Sequence, residues 1–532
     1  MPPTRIGRRT FFRRSFAAGA FAAARPSALL ASTDPHSQAP AVVASDASRV
    51  ALPQGVASGD VTGGRAVIWS RADRAARMFV EYSTTEAFAN PLRVAGPAAL
   101  ETSDFTARLV LTGLPAGQRI FYRVLFQDLA DIRSWSLPGA GSFWTPPSAA
   151  SRRDVTIAWS ADTVGQGWGI NPEWGGLRLY ETMRAVQPDV FVHCGDSIYA
   201  DQPLAAEVKL DDGTIWNNLV TEAKSKAAET LDEFRGCHRY NLLDEHMRRF
   251  NAEVPQVVMW DDHEVHDNWY WERDLTRDQR YTVKSMALVA ARARRAFVEY
   301  QPLSVNGDDP DRVYRNLSYG PQVEIFALDL RSYRGANTEN RQTILDERSA
   351  LFGASQLATL KARLAASRAT WKVIASDLPI GVIVRDFPAF YEAFANGDHG
   401  VPAGRELEIA SLLKFIRDSR IRNVVWITAD VHYCAAHHYD PTRARFTEFD
   451  PFWEFVAGPL NAGSFAPNEM DGTFGPEVKF TGTNKATKPN RPPSEGLQVF
   501  GTLTVSARTR AMTVMLRNLA GKILYSVELP PA

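Results

Sequence analysis

Only three cysteines occur in 532 residues, Cys194, Cys237 and Cys434, and no pair is spaced C-x-x-C. That small, odd number excludes a disulfide scaffold, and the spacing excludes a zinc ribbon. Cys194 and Cys434 each sit in an apolar stretch, where cysteine behaves as a small hydrophobe. Net charge is missing too: Lys+Arg and Asp+Glu both number 60. Such a balance argues against a nucleic-acid footprint or a generic polybasic membrane surface, but it leaves room for a local basic pocket. No internal run reaches the ~18 apolar residues of a membrane-spanning helix. What is present is ordinary for a soluble globular protein, with 45% hydrophobic and 23% charged residues. The length exceeds one ordinary core and predicts two folded units.

The N-terminus departs from this average. "GRRTFFRR" (7–14) precedes the short, weakly apolar "SFAAGAFAAA" (15–24). A charged segment, a short apolar one and small residues make a secretory signal. Arg8 and Arg9 with Phe11 and Phe12 resemble the twin-arginine type. The expected partner is the twin-arginine export machinery and the expected location periplasmic or extracellular, with no transmembrane anchor. Residues 25–48 are Ala/Ser/Pro-rich, so 1–48 reads as signal and linker.

Between 49 and 147, short alternating stretches such as "RAVIWSRA", "RMFVEYST" and "RIFYRVLFQD" recur every ten to twenty residues. That spacing predicts a small antiparallel β-sandwich. "LTGLPAG" (111–117) resembles the strand and turn of fibronectin type III-like domains, and "TPPSAASRRD" (145–154) reads as a hinge. From 152 to 532, strands alternate with helices, which predicts an α/β layered domain. Period two returns beyond Phe500 and predicts a closing antiparallel hairpin.

The chemistry gathers at strand ends. "VTIAWSA" ends in Asp162, and "VFVHCG" in Asp196, with Tyr199 three residues on and Asp201 close behind. "QVVMW" ends in Asp261-Asp262-His263-Glu264, "WKVIAS" in Asp377, and "NVVWIT" in Asp430-Val431-His432. One Asp at a strand end commonly caps a turn. Five such ends point elsewhere, because ligands of α/β sheets bind outside the carboxyl ends of strands. So many buried carboxylates need cations to offset desolvation and mutual repulsion.

"GDSIY", "WDDHEVHDNW", "DLRSY" and "TADVHY" resemble the motifs of PhoD-type alkaline phosphatases and phosphodiesterases, within the calcineurin-like metallophosphoesterase superfamily. "GVASGDVTGGRAVIWSRA", "NGDHGVPAGRELE" and "FWEFVAGPLNAG" extend the resemblance along nearly the whole chain. It implies a metallophosphoesterase domain preceded by an Ig/fibronectin-like β-sandwich. It also implies metal ligands at Asp162, Asp196, Tyr199, Asp262, Asp430 and His432, with Asp377 and Asn268 as looser candidates. Asp162 stands where the best-known PhoD pattern has cysteine, which makes the site resemble that of purple acid phosphatases. His263 takes the place of the catalytic histidine. Arg331 is a candidate phosphate clamp, or else a structural partner of Asp329. His193, His266, His399, His437 and His438 are polar candidates near the mouth, with supporting or surface roles.

The donor types suit Fe³⁺ at a phenolate-containing first position and Ca²⁺ at an all-oxygen second one. The resemblance implies the same pair; zinc or another divalent ion stays open. The expected reaction is phosphate-ester hydrolysis by hydroxide held at the ions, on monoesters and on diesters. Two alternatives stand beside it: a phospholipase D-like phosphodiesterase on lipid or polymer diesters, and a calcium-stabilised cell-envelope binding protein. Structural calcium requires neither His263 nor a Tyr199–His432 pair.

Overall fold

The apolar stretches organise into two large sheets whose carboxyl strand ends meet. The computed structural model of the protein describes residues 48–386 and 389–532. The twin-arginine motif and nearly all of the linker lie outside the described residues. In chain order, β1 (Val56–Thr62), β2 (Arg65–Arg71), β3 (Ala76–Ser83), β4 (Leu92–Ala99), β5 (Thr106–Thr112), β6 (Arg119–Asp128) and β7 (Gly139–Trp144) come first. Alternation is cleanest in β6, where Ile120, Tyr122, Val124 and Phe126 are buried and their neighbours are not.

The α/β region follows with β8 (Val155–Ser160), α1 (Arg178–Val186), β9 (Val190–His193), a ribbon of β10 (Glu207–Lys209) and β11 (Ile215–Asn217), α2 (Leu231–Asn241), α3 (Glu245–Glu253) and β12 (Gln256–Val258). Next are α4 (Met286–Tyr300), β13 (Arg315–Tyr319), β14 (Val323–Ala327), α5 (Ala354–Ala366), β15 (Trp371–Ala375), a small ribbon of β16 (Arg385–Asp386) and β17 (Phe390–Tyr391), and α6 (Glu406–Asp418). The chain ends with β18 (Val424–Thr428), β19 (Ala435–Tyr439), β20 (Phe452–Val456), β21 (Pro476–Thr481), β22 (Val499–Val505), β23 (Met512–Asn518) and β24 (Ile523–Leu529).

One sheet runs β24-β23-β22-β8-β9-β12-β1-β2-β5 and the other β13-β14-β15-β18-β20-β19-β21. A continuous apolar core joins them: Ile157, Val192 and Leu503 from the first sheet share it with Ile325, Val373 and Ile427 from the second. Strands buried on both faces read as unbroken apolar runs, which is why "VTIAWS" and "NVVWIT" show no alternation. Helices α5 and α6 cover the outer face of the second sheet through Leu357, Leu360, Ile409 and Leu413. Helix α1 covers the first through Leu179 and Met183. The expected C-terminal hairpin is a three-stranded antiparallel edge whose β22 pairs with β8.

The N-terminal strands differ from the expectation of a separate unit. β4-β3-β6-β7 form one sheet, but β1, β2 and β5 belong to the catalytic sheet, joined where Gly59 of β1 meets Gln256 of β12. Tyr122 donates to the Ala252 carbonyl at 3.1 Å, Trp69 to the Glu299 carbonyl at 2.8 Å, and Arg315 pairs with Asp60 at 2.7 Å. Residues 48–532 make one compact unit. The Pro/Ser segment at 145–154 marks a change of pattern, and the hydrogen-bonded sheet crosses it. Among the described residues, no helix is long and apolar enough to cross a membrane.

Candidate metal centre

Each cluster residue follows a buried strand on a turn that breaks sharply from it. Asp162, Asp196, Asn268, Asp430 and His432 all have left-handed backbone, with φ of 66°, 52°, 56°, 65° and 60°. Non-glycine residues rarely adopt it, and each instance costs about 1–3 kcal/mol unless surroundings enforce it. Here the surroundings are hydrogen-bonded turns. Glu264 accepts from the backbone N–H groups of Asp196 (3.2 Å), Ser197 (2.5 Å) and Asp261 (2.8 Å), tying the turns after β9 and β12 together. Gly195, at φ 115°, lets that turn lie directly on Asp261, where a Cβ has no room.

These turns bring three groups of donors together: Asp162, Asp196 and His432; Asp196, Asp262 and His263; and Asp261, Asp262 and Asp430. Within each group one donor atom per residue lies within 4.8 Å of the others. Tyr199 joins the first group, its Oη 3.0 Å from His432 Nε2, and Asp162 Oδ1 lies 3.7 Å from the same nitrogen. His432 Nδ1 donates to the Gly463 carbonyl at 2.6 Å, which fixes the tautomer and leaves Nε2 as an acceptor. Burial pushes the His432 imidazole down to about 4, so it is neutral, as a metal ligand must be.

The electrostatics favour a bound cation. Asp162 is fully buried, and neither of its oxygens has a hydrogen-bond partner among the described residues. Burial, reinforced by neighbouring carboxylates, drives Asp162, Asp196 and Asp430 well above the usual carboxylate range. Burial and the nearby Asp196 and Asp162 charges likewise raise the Tyr199 phenol. A bound cation inverts that logic, favouring carboxylate and phenolate. Buried oxygens without donors, one acceptor imidazole and a phenol fit a metal site in a way that no hydrogen-bonded structural cluster does.

His263 occupies the cavity wall. Its backbone N–H donates to Asp196 Oδ1 at 3.1 Å, and its ring stacks on Tyr199 with centroids 4.3 Å apart. Nδ1 lies 2.8 Å from Asp201 Oδ1, and Nε2 lies 3.9 Å from Asp267 Oδ1. Burial alone lowers the imidazole's proton affinity; Asp201, Asp262 and Asp196 outweigh it and hold His263 well above its ordinary value. The cavity, of about 410 Å³, is lined by Asp196, Asp262, His263, Asn268, Asp430 and His432 among others.

Family models now place the chain. The model described as PhoD-like phosphatase matches residues 157–516, and PhoD-like phosphatase, N-terminal domain, matches 37–147. The chain belongs to the PhoD-like phosphatase family. It is a phosphoric ester hydrolase. Alkaline phosphatase D of Bacillus subtilis (strain 168) is 26% identical over 433 residues, 77% of this chain and 69% of that protein. A solved structure of PhoD shares the fold at a TM-score of 0.66, with 21% identity, over 90% of this chain and 89% of that one. A purple acid phosphatase from yellow lupin (Lupinus luteus) seeds shares it at 0.55, with 12% identity, over 90% and 73%.

On this PhoD-like frame Asp162 and Tyr199 stand beside His432 behind the cavity lining, whereas two other expected site residues, Arg331 and Asp377, lie outside both the lining and the donor groups. Arg331 is fully buried. Its Nε donates to Asp261 Oδ1 at 2.6 Å, and the guanidinium also pairs with Glu392 and, at 3.5 Å, with Asp377. That surrounds Arg331 with carboxylates and leaves no face for phosphate. Asp329 accepts from the Arg331 backbone N–H at 3.1 Å, from Trp260 Nε1 at 3.0 Å and from Ser332, and no ion pair joins it to the Arg331 guanidinium, so the expected side-chain pair is absent. Asp377 lies outside the three donor groups; its contact with a cation is the 3.5 Å ion pair to Arg331, and neither of its oxygens has a hydrogen-bond partner among the described residues. Asn268 does reach the cavity; its N–H donates to Asp262 Oδ2 at 2.6 Å, and its amide nitrogen, oriented by the network, reaches Glu392 Oε1 at 2.6 Å.

The candidate histidines lie away from the cavity lining. His193 contacts Thr163 at 3.1 Å, His437 pairs with Glu454 at 2.9 Å, and His266 faces Asp278 at 3.3 Å. His438 packs on Trp453, and exposed His399 accepts from the Gly472 N–H at 3.0 Å. All three cysteines are free and buried. Sequence reasoning missed Glu392 and the roles of Asp201 and Glu264, the latter named at its strand end but not as the acceptor that ties two turns together. Asp201 carried a signal, five residues after Asp196. Glu392 carried none, because it arrives from the β16–β17 ribbon.

Proposed function

We propose that this PhoD-like phosphatase hydrolyses phosphate esters with two cations held by its own side chains, Fe³⁺ at the first position and Ca²⁺ at the second. One observation carries the reading: Asp162, buried with both oxygens unpartnered, faces an acceptor nitrogen of His432 that also meets Tyr199. Asp162, Asp196, Tyr199 and His432 hold the first ion; carboxylates with a phenolate suit a hard trivalent cation. Asp196, Asp262 and Asp430, with Asn268 beside them, hold the second, and all-oxygen donors suit Ca²⁺ better than zinc. When bound, the cations supply Lewis acidity and offset charge developing on the phosphoryl group.

The chain's own residues do the rest. The His263 backbone N–H fixes Asp196 through Oδ1, and Asp196 would contribute to both cation positions. Asp201 orients the His263 ring and stabilises its protonated form, so Nε2 delivers a proton to the departing oxygen. The stacked Tyr199 ring holds the imidazole plane. Residues 49–147 form an Ig/fibronectin-like module and 152–532 the catalytic region, a division supported by the buried core shared by β1, β2 and β5 with β3, β6 and β7. Arg8 and Arg9 support twin-arginine export to the periplasm or the exterior. Monoesters, and diesters as well, are the substrates.

The test is metal analysis of protein exported by its native route, beside assays on an aryl phosphate and its diester. Iron and calcium with hydrolysis of both substrates is the expected result. A colourless, fully active enzyme holding two zinc ions overturns the metal assignment. Inactivity on both esters overturns the reaction.

A further inference from the structure

With Arg331 enclosed by carboxylates, the cavity's guanidinium comes from elsewhere. Arg385 is the single Lys or Arg among the described residues lining it. Beside it the lining carries apolar Val384, Val431, Phe465, Ala466 and Pro489, and the acids Asp267, which faces His263 at 3.9 Å, and Glu392. Arg385 is exposed, at the start of the β16–β17 ribbon, directly across from Tyr391 in register. Its Nη1 donates to Tyr391 Oη at 3.1 Å, and the guanidinium lies over the Tyr391 ring at 5.1 Å. A neutral phenol thus holds the group, and no described carboxylate pairs with it.

The nearby acids are already engaged. Asp386 accepts from Arg273 at 3.2 Å and Asn337 at 2.8 Å, and Glu392 is held by Arg331 and Asn268. Arg273 also donates to the Asn268 carbonyl at 2.8 Å, so the ribbon is anchored to the loop that carries a cavity residue. The Val384 carbonyl accepts from the Glu392 N–H at 3.0 Å, which fixes the position just before Arg385. An oriented guanidinium with no carboxylate partner, at the mouth of a cavity whose other cationic group is the His263 imidazole, is built for an anion, and its planar fork matches phosphate oxygens.

We infer that Arg385 is the substrate-binding arginine of this phosphatase, pairing with phosphoryl oxygens that face away from the Asp196–Asp262–Asp430 floor. The inference rests on the phosphatase reading of the same cavity. A monoester presents one more charge than a diester and gains more from the contact.

The test compares metal-loaded wild type with Arg385→Ala, Arg385→Lys and Tyr391→Phe, using inorganic phosphate as competitive inhibitor and an aryl phosphate with its diester as substrates. Removing a charge-assisted hydrogen bond costs roughly 10- to 100-fold in affinity. Arg385→Ala is expected to weaken phosphate inhibition and raise the monoester KM by about that factor, with a smaller effect on the diester and metal content intact. Arg385→Lys recovers part of the loss, and Tyr391→Phe, which frees the guanidinium, gives a smaller rise in KM. Unchanged phosphate inhibition and KM in Arg385→Ala with metals retained overturns the inference. Loss of metal in that variant overturns it too, by making the role structural. A wild type that phosphate does not inhibit indicts the phosphatase reading of the cavity instead.

Discussion

His263 Nδ1 lies 2.8 Å from Asp201 Oδ1, and both side chains are buried. The carboxylate engages Nδ1 and leaves Nε2 as the nitrogen available for the proposed proton transfer. General acid catalysis is typically worth ~10²–10⁴-fold. His263→Ala is expected to lower kcat by about that factor on alkyl phosphates and much less on aryl phosphates, whose leaving group departs unaided. Metal content, measured alongside, stays unchanged. Loss of metal or folding makes His263 a ligand or a core residue instead.

Asp201→Asn tests the pair separately. Asp201 favours the imidazolium and raises the His263 pKa, so its neutral replacement lowers it. Protonated His263 is then lost at lower pH. The alkaline limb of the kcat profile on an alkyl phosphate is expected to shift to lower pH, while the aryl phosphate profile moves little. A pure loss of stability, with no shift of the limb, refutes the positioning role.

Under the proposed assignment, Tyr199 reports on the first cation. A ferric–phenolate pair absorbs broadly in the visible, and Tyr199→Phe is expected to shift or abolish that band. Absorption spectra with iron analysis of both proteins make the comparison. An identical band in the variant places the phenol outside the metal's ligands.

Arg331 is expected to govern stability. Removing one partner of a buried ion pair costs about 3–5 kcal/mol, because the remaining charges stay buried and uncompensated. Arg331→Gln leaves Asp261, Asp377 and Glu392 without their common cation. Denaturant unfolding should register a loss of that order. A stable variant with weakened phosphate inhibition instead makes Arg331 the clamp.

Glu406, which is not part of the cavity lining, supplies a separate pH signature. It is buried, one oxygen accepts from Asn396 Nδ2 at 3.0 Å, and the other has no partner. Burial and the Asp471 charge push its carboxyl up to about 9. The folded state therefore holds this proton more tightly than the unfolded chain, where a Glu titrates near 4.3. Stability from this group falls as pH rises from the unfolded value towards about 9. Glu406→Gln is expected to flatten that decline, so unfolding midpoints across pH 5–9 should converge at the acid end and favour the variant at the alkaline end. Parallel curves refute the assignment.

The sequence by itself determined the strands and the residues at their ends. Short unbroken apolar runs bounded by turn residues point to buried strands, and hydrophobic pattern is a local property that needs no partner to be read. It therefore brought Asp162, Asp196, Tyr199, Asp262, His263 and His432 into view. Tertiary structure decided what each of them faces. Tyr199 meets His432 across 233 residues, and Arg331 meets Asp261 across 70. Nothing in a strand's own pattern says whether a carboxylate at its end turns to a buried guanidinium or to open cavity. Asp261 and Asp262 are adjacent; Arg331 takes the first and the second lines the cavity. The same holds for the two arginines: "DLRSY" drew attention to Arg331, which the fold encloses, and the short ribbon delivers Arg385 to the mouth. Likewise the change of pattern at 145–154 suggested a boundary, but the pairing of β1 with β12 is a long-range contact that carries one sheet across it.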